Sequence, residues 1–132
     1  MKRGILIIVF SLLTLLVQAQ TFVCTDAQFY TYNGQSISAS NVQKYRAKAL
    51  GSKAILKFYD NSLKVSDSQG ESLVLDKSYG KDDEYYFKKR LLTGNVKKVV
   101  LKLNKTVGYI RSFTVVRYFD NKVEEKYTYR RD

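Results

Sequence analysis

Apolar and polar residues alternate over short runs from about residue 20 onward, and turn-forming residues recur about every ten positions. Because a β-strand turns successive side chains to opposite faces, this period of two predicts strands that are buried on one side. Strands are predicted near residues 53–59, 63–67, 72–77, 84–91, 96–104, 109–119 and 122–130. The predicted fold is therefore all-β, a single small antiparallel barrel or sandwich of about seven to nine strands.

Two further elements are predicted ahead of these strands. Asn33-Gly34 separates two short runs, and this pair is preferred in two-residue hairpin turns, where both positions need positive φ.

The stretch 41–50 fits either a short helix or a half-exposed strand in which cations alternate with smaller side chains. A helix would place Val42, Tyr45 and Ala49 on one face, with Ser40 and Gln43 as a capping box and Gly51 at its end. The abundance of Ala, Lys, Gln and Leu favours the helix.

Two similar turns set the expected strand register. Asp60-Asn61 and Asp120-Asn121 each follow two aromatic residues, and both pairs suit a tight hairpin because Asp and Asn tolerate the left-handed region. The first hairpin would then pair Phe58 with Leu63, Leu56 with Val65, and Lys57 with Lys64. The first two pairs form an apolar face, whereas two opposed lysines require water on the other face.

The second hairpin supplies the candidate binding site. One face would pair Tyr118 with Val123, Val116 with Glu125, Thr114 with Tyr127 and Ser112 with Tyr129. The other face would pair Phe119 with Lys122, Arg117 with Glu124 and Val115 with Lys126. A carboxylate on a core face must be paired or lie in a cavity. We therefore interpret Glu125 as a polar group inside a ligand pocket. Alternatively Glu125 lies near the rim, or the turn is one residue longer and the faces exchange.

The beginning of the chain predicts export. Met1-Lys2-Arg3 is followed by an apolar run of 13 residues, Ile5–Val17, and then by Gln18-Ala19-Gln20. This is the pattern of a signal peptide over residues 1–19, with cleavage before Gln20. The run is shorter than the roughly 20 residues that span a bilayer. We therefore expect one secreted or periplasmic β-domain over residues 20–132, with no transmembrane segment after cleavage.

Charge and cysteine content narrow the possible partners. The formal net charge is +11, and an excess of cations remains without Lys2 and Arg3. Such a charge favours anionic partners, although a Lys-rich surface also serves simply to keep sheet edges solvated. Cys24 is the only cysteine and is not preceded by a lipobox, so the chain has no internal disulfide and no predicted lipid anchor.

Few side chains could carry catalysis. The sequence has no His, which excludes histidine-dependent triads and imidazole zinc sites. Asp82-Asp83-Glu84, with Asp76 upstream, could offer oxygen ligands to calcium, but no full ligand loop is present. A glycosidase would need two acids across a cleft, and the sequence does not show that Asp76 and Glu125 meet. No metal, cofactor or catalytic residue is predicted.

The overall layout suggests a family. The leader ending in Gln18-Ala19-Gln20 precedes a short Tyr- and Lys-rich β-domain that includes Ala54, the Asp60-Asn61 turn and Val65. In this layout the chain resembles the small uncharacterised secreted proteins of Bacteroidetes, some of which are described as lipocalin-like or calycin-like barrels. It has no Trp and so lacks the Gly-x-Trp signature of true lipocalins. The resemblance implies a periplasmic or extracellular binding role and brings no catalytic residues.

Three functional hypotheses follow. The favoured one is a non-enzymatic secreted module that binds a small apolar or amphipathic ligand through Tyr118, Val123, Glu125, Tyr127 and Tyr129. The second is a basic surface protein that binds acidic glycan, lipopolysaccharide or a protein partner, in which case binding weakens with salt. The third is a carboxylate-based enzyme that acts on glycan. No nucleic-acid partner is expected, because an exported protein seldom meets one.

Overall fold

The computed structural model describes residues 20–132, so the predicted signal peptide and its cleavage site lie outside the described residues. The elements are β1 Gln20–Phe29, β2 Thr31–Tyr32, β3 Gln35–Ser36, α1 Ala39–Ala49, β4 Lys53–Phe58, β5 Ser62–Asp67, β6 Ser72–Lys77, β7 Glu84–Arg90, β8 Val96–Thr106, β9 Tyr109–Phe119 and β10 Lys122–Arg131. The predicted strand positions and the predominance of β-structure are confirmed.

Eight of the strands form a closed antiparallel barrel in the order β1-β10-β9-β8-β7-β6-β5-β4, with β4 pairing back to β1. Closure leaves none of these eight strands with a free edge. β2 and β3 form a separate hairpin around Asn33-Gly34, and both turn residues have the positive φ expected of this pair. This hairpin and α1 together make up the connection between β1 and β4.

The two ends of the barrel differ. Because consecutive strands run in opposite directions, alternate connections meet at the same end. The β5–β6 loop, the β7–β8 loop, the β9–β10 turn and the connection that carries α1 lie together at one end, which we call the helix end. The long connection between β1 and β4 is therefore placed where it can cover the mouth of the barrel.

The core occupies the interior toward the other end. The largest side chains that are less than 2% exposed are Phe22, Leu56, Leu63, Leu75, Leu101 and Phe113. The rings of Phe22 and Phe113 meet edge to face with centroids 5.0 Å apart, and Phe113 also stacks on Tyr129 at 4.7 Å. Aromatic pairs in these geometries each stabilise by about 0.5–1.5 kcal/mol beyond area burial. The interior is therefore well filled below the level of Tyr129.

The helix prediction is confirmed, with a different capping residue. Ser38 rather than Ser40 is the N-cap: its backbone is extended, and its side-chain oxygen accepts the N–H of Asn41 at 3.4 Å. Gly51 follows the helix with φ of +83°, the left-handed conformation that suits a glycine stop. No residue of α1 is fully buried, so the helix lies on the barrel surface instead of filling its interior.

The first hairpin has the predicted register, with Phe58 opposite Leu63 and Lys57 opposite Lys64. Its turn residues, however, do not adopt the positive φ found at both Asp120 and Asn121. In the second hairpin the predicted pairs nearest the turn, Tyr118 with Val123 and Phe119 with Lys122, are confirmed.

Beyond Val123 the predicted register of the second hairpin is wrong. A bulge between Val123 and Glu125 shifts the pairing by one residue, so that Glu125 lies opposite Arg117, Tyr127 opposite Val115 and Tyr129 opposite Phe113. The extra residue is Glu124, which is 6% exposed. Its carboxylate accepts the N–H of Gly34 at 3.2 Å, and its carbonyl accepts the N–H of Tyr30 at 2.8 Å. The bulge is therefore held by Tyr30 and Gly34, which belong to the connection between β1 and β4 and lie outside the hairpin.

Candidate ligand-binding cavities

The helix end of the barrel contains a cavity of about 680 Å³, which we call the barrel cavity. Its apolar lining comprises Ala54, Val65, Leu73, Leu75, Val99, Leu101 and Val115. These residues alternate with outward-facing ones along their strands and so line the interior. Polar and charged residues, among them Ser52, Lys53, Asp67 and Glu71, line the same cavity near the strand ends. An apolar interior with polar groups toward the opening is the usual composition of a small-molecule site.

A second cavity of about 430 Å³ lies beside α1, and we call it the helix cavity. It is lined by Phe29, Tyr32, Ile37, Tyr45, Lys48, Ala49, Glu125 and Tyr127. The ring of Phe29 contacts Tyr45 of the helix and Tyr127 of β10, with centroid distances of 5.7 Å in both cases. Lys48 and Tyr127 line both cavities, so the two are neighbours at the helix end.

A polar network lies where the two cavities adjoin. The hydroxyl of Tyr127 donates to Glu125 Oε2 at 2.7 Å, and Arg117 Nε lies 3.6 Å from the same oxygen. Arg117 lines the barrel cavity, Glu125 the helix cavity, and Tyr127 both. The side chain of Glu125 is 20% exposed and that of Arg117 is 50% exposed. The network therefore places a cation, an anion and a phenol hydroxyl where the two cavities adjoin.

The two cavity tyrosines are held in their neutral form. Burial raises the pKa of Tyr127 well above its ordinary value of 10.0, and its hydrogen bond to Glu125 adds to that effect. Burial also raises the pKa of Tyr129 to about 12, with a smaller contribution from the negative charge of the neighbouring Cys24 in its thiolate form. Both phenols stay protonated at neutral pH, and the Tyr127 hydroxyl acts as a hydrogen-bond donor to Glu125.

The structure separates the residues predicted from sequence to form the site. Glu125 and Tyr127 line the helix cavity, and Tyr127 and Tyr129 line the barrel cavity. Tyr118 and Val123 precede the bulge and line neither of these cavities; Val123 is 38% exposed. The reason is the register shift, since a one-residue slip moves every later side chain to the opposite face.

Several cavity residues were missed by the sequence reasoning. Arg117 was expected opposite Glu124 on the other face, and the bulge instead brings it to Glu125. Phe29, Tyr45 and Lys48 come from segments that the sequence connected to no site. The alternation along β9 does predict that Arg117 faces inward, because it follows the buried Phe113 and Val115 at intervals of two residues.

The acidic cluster before β7 is engaged in ion pairs. Glu84 lies 3.3 Å from the ammonium of Lys81 and 3.7 Å from that of Lys102, and Asp83 lies 3.2 Å from Lys105. Burial opposes ionisation of Glu84, but hydrogen bonds from Lys81 and Ser78 and the nearby cations outweigh it and hold its pKa below the ordinary range. Within residues 20–132, no group of three His, Cys, Asp or Glu side chains is arranged to hold a metal ion.

The two acids considered for glycan chemistry are also apart. Asp76 alternates with the buried Leu75 on β6 and is exposed, whereas Glu125 faces the cavities. They therefore do not face each other across either of the two cavities.

Comparisons with protein-family models, curated proteins and solved structures found no match to this chain. The eight-stranded antiparallel barrel is compatible with a lipocalin-like or calycin-like fold. Over residues 20–132, no helix combines the length and apolar character needed to cross a bilayer.

Proposed function

We propose that this protein is a non-enzymatic binding module that holds a small amphipathic ligand in the barrel cavity. The observation that carries the proposal is the cavity of about 680 Å³ with an apolar interior and a polar opening. This volume lies within the range of roughly 300–1,000 Å³ that is typical of ligand pockets. An eight-stranded barrel is wide enough to hold one small molecule.

The apolar part of the ligand would lie against Val99, Leu101 and Val115. These side chains are at most 9% exposed and belong to the main hydrophobic cluster, so they form the buried, well-packed part of the cavity wall. Burial of a methylene group contributes about 0.8 kcal/mol. Extension of a straight-chain ligand by two carbons should then raise its affinity about 15-fold until the cavity is full.

The polar group of the ligand would lie at the Arg117–Glu125–Tyr127 network. Glu125 keeps the role in fixing a polar group that the sequence suggested, and Tyr127 adds a neutral hydroxyl donor. Tyr118 and Val123 have no part in this proposal, because they lie outside both cavities. The helix cavity would extend the site under α1, since Tyr127 and Lys48 are common to both cavities.

The resemblance to secreted lipocalin-like proteins and the predicted signal peptide support the same proposal. A signal peptide over residues 1–19 would place ligand binding in the periplasm or outside the cell.

A pair of matched substitutions tests this site. Val65 lines the barrel cavity, whereas Val74 on the neighbouring strand faces outward and is 52% exposed. Val65→Phe should fill part of the cavity, and Val74→Phe adds the same group to the surface. Binding of the neutral fluorescent probe N-phenyl-1-naphthylamine, with displacement by hexanol, octanol and decanol, would measure occupancy of the cavity.

We expect Val65→Phe to weaken probe binding at least about tenfold while Val74→Phe leaves it unchanged, because only the former reduces the apolar volume. Far-ultraviolet circular dichroism and thermal unfolding would verify that both variants fold. Equal probe binding by the two variants, or affinity that does not depend on alcohol chain length, would show that the barrel cavity is not the binding site.

A further inference from the structure

The outer surface of β7, β8, β9 and β10 carries a concentration of cations. The inward positions of these strands are set by the buried Tyr85, Leu101 and Phe113 and by the cavity residue Tyr127. The alternate positions therefore face outward. Their cations, which together form what we call the basic face, are Lys88, Arg90, Lys98, Lys102, Lys126 and Arg130.

Strand register brings these cations close together. Lys88 lies directly opposite Lys98, although like charges in that position are destabilising. Lys98 in turn lies opposite Tyr118, and Val116 lies opposite Lys126. Adjacent strands are separated by about 4.8 Å, and alternate residues along a strand by about 6.8 Å. Lys88 is therefore adjacent to Lys98 across the strands and to Arg90 along β7. The outward positions of β9 hold no cation, so Lys126 and Arg130 form a second row on β10, about two strand spacings from β8.

Carboxylates do not neutralise this face. Across residues 20–132, these four strands place one carboxylate, Glu84, at a regular outward position, and it pairs with Lys102 and Lys81. Glu124 at the bulge is buried and accepts the Gly34 N–H. Among the described residues, the other five cations of the basic face have no carboxylate oxygen within 4.0 Å. A surface with this charge imbalance is complementary to an anion.

The shape of the surface indicates a multivalent ligand. No residue of the basic face lines the barrel cavity or the helix cavity. A small anion bound to the basic face would therefore not be enclosed by either cavity. An exposed ion pair contributes little by itself, and useful affinity requires many contacts made at once. A linear polyanion can make those contacts along the outside of a barrel, whereas a flat membrane meets a convex surface along a narrow strip.

The aromatic residues argue against a nucleic acid. Single strands are usually held in a basic groove with bases stacked on exposed rings. Here Tyr86 is 36% exposed and Tyr118 less so, and Val100, which lies opposite both Tyr86 and Val116, is only 8% exposed. The two rings lie on β7 and β9 with β8 between them, so they do not form a continuous stacking platform.

We propose that the basic face binds a linear anionic polysaccharide that carries sulfate or carboxylate groups along its length. Closely spaced Lys and Arg residues are typical of surfaces that bind such chains. This inference is independent of ligand binding in the barrel cavity, because the two surfaces share no residue.

The chain provides a matched control for the test. Lys57 and Lys64 are also directly opposed on outward positions, but they lie on β4 and β5, outside the basic face. The variants Lys88→Gln/Lys98→Gln and Lys57→Gln/Lys64→Gln therefore lose the same charge from equivalent cross-strand pairs. Heparin serves as the sulfated probe, polygalacturonate as the carboxylated probe and dextran as the uncharged reference. Isothermal titration at several salt concentrations would give affinities and salt dependence.

We expect heparin or polygalacturonate to bind, and dextran not to bind. Substitution of Lys88 and Lys98 should weaken binding about tenfold at low salt and reduce the salt slope by about two, one for each lost contact. Substitution of Lys57 and Lys64 should change affinity less than about threefold. Whether sulfate or carboxylate is preferred would be read from the two probes.

Equal losses in the two variants would overturn the proposal, because they would indicate a response to net charge alone. Absence of binding to both polysaccharides at low salt would also overturn it. So would tighter binding of single-stranded DNA or of phosphatidylglycerol vesicles with the same dependence on Lys88 and Lys98, since the face would then serve that other class of partner. Probe binding in the barrel cavity should be unaffected by either variant, which keeps the two proposals separate.

Discussion

Replacement of Tyr127 by Phe removes one hydroxyl group from the network between the two cavities and leaves the ring in place. That hydroxyl donates to Glu125 Oε2 at 2.7 Å. Hydrogen bonds to charged groups contribute about 1.5–3 kcal/mol. The Glu125 carboxylate keeps Arg117 at 3.6 Å and remains 20% exposed, so it is not left without partners. The loss should therefore fall at the lower end, about 1.5 kcal/mol.

Urea unfolding at neutral pH measures this loss directly. In thermal unfolding of a domain of this size, the same destabilisation of about 1.5 kcal/mol corresponds to a fall of about 6 °C in Tm. Tyr118→Phe is the matched control, because Tyr118 lies outside both cavities and opposite Val123. This surface change should cost less than about 0.5 kcal/mol.

A double-mutant cycle with Glu125→Ala isolates the interaction itself, because alanine leaves no side-chain acceptor for the Tyr127 hydroxyl. The coupling free energy between Tyr127→Phe and Glu125→Ala should be about 1 kcal/mol, since the two groups share one hydrogen bond. If Tyr127→Phe were no more destabilising than Tyr118→Phe, or if the coupling were zero, the network would not stabilise the fold and the reasoning would be refuted.

Two further predictions concern alkaline pH and the β2–β3 turn. The pKa of Tyr129 is raised to about 12 from 10.0, so its neutral form stabilises the fold fully below pH 10, and that contribution is lost as pH rises through about 12. Urea unfolding should therefore show that stability falls less steeply in Tyr129→Phe than in the unmodified protein over this window, and equal slopes would contradict the assignment. Gly34 has φ of +84°, and an added Cβ would lie 3.4 Å from the ring of Phe119. Gly34→Ala should cost about 1–2 kcal/mol in thermal unfolding because a side chain disfavours positive φ, and an unchanged Tm would contradict this.

Hydrophobic alternation was sufficient to predict the barrel strands from β4 to β10, and the helix preferences of individual residues favoured the helix over a strand at residues 41–50. The pleat of a strand and the preferences of individual residues are local properties, so they are visible in short windows of sequence. The same holds for the pairs nearest the turns, such as Tyr118 with Val123, because a tight turn sets the first pairs of its own hairpin.

The N-cap of α1 and the φ values of the Asp-Asn turns show where inference from short stretches of sequence is less specific. Ser38 and Ser40 are both suitable caps, and the extended backbone at Ser38 selects it. Asp60-Asn61 and Asp120-Asn121 have the same residues, yet positive φ occurs only in the second pair. Identical turn chemistry thus accommodates two geometries, and the flanking strands decide between them.

The candidate site was predictable only in part, and the sequence by itself determined its chemical ingredients: the tyrosines of β10, a carboxylate among them and an apolar face to hold them. The tertiary structure decided which of these residues meet. Glu124 accepts a hydrogen bond from Gly34, 90 positions away in the chain, and this contact accompanies the bulge that turns Glu125, Tyr127 and Tyr129 inward. Because a strand has a period of two, one extra residue exchanges its two faces. Whether that residue is inserted depends on a contact with a distant segment, which local sequence patterning does not identify.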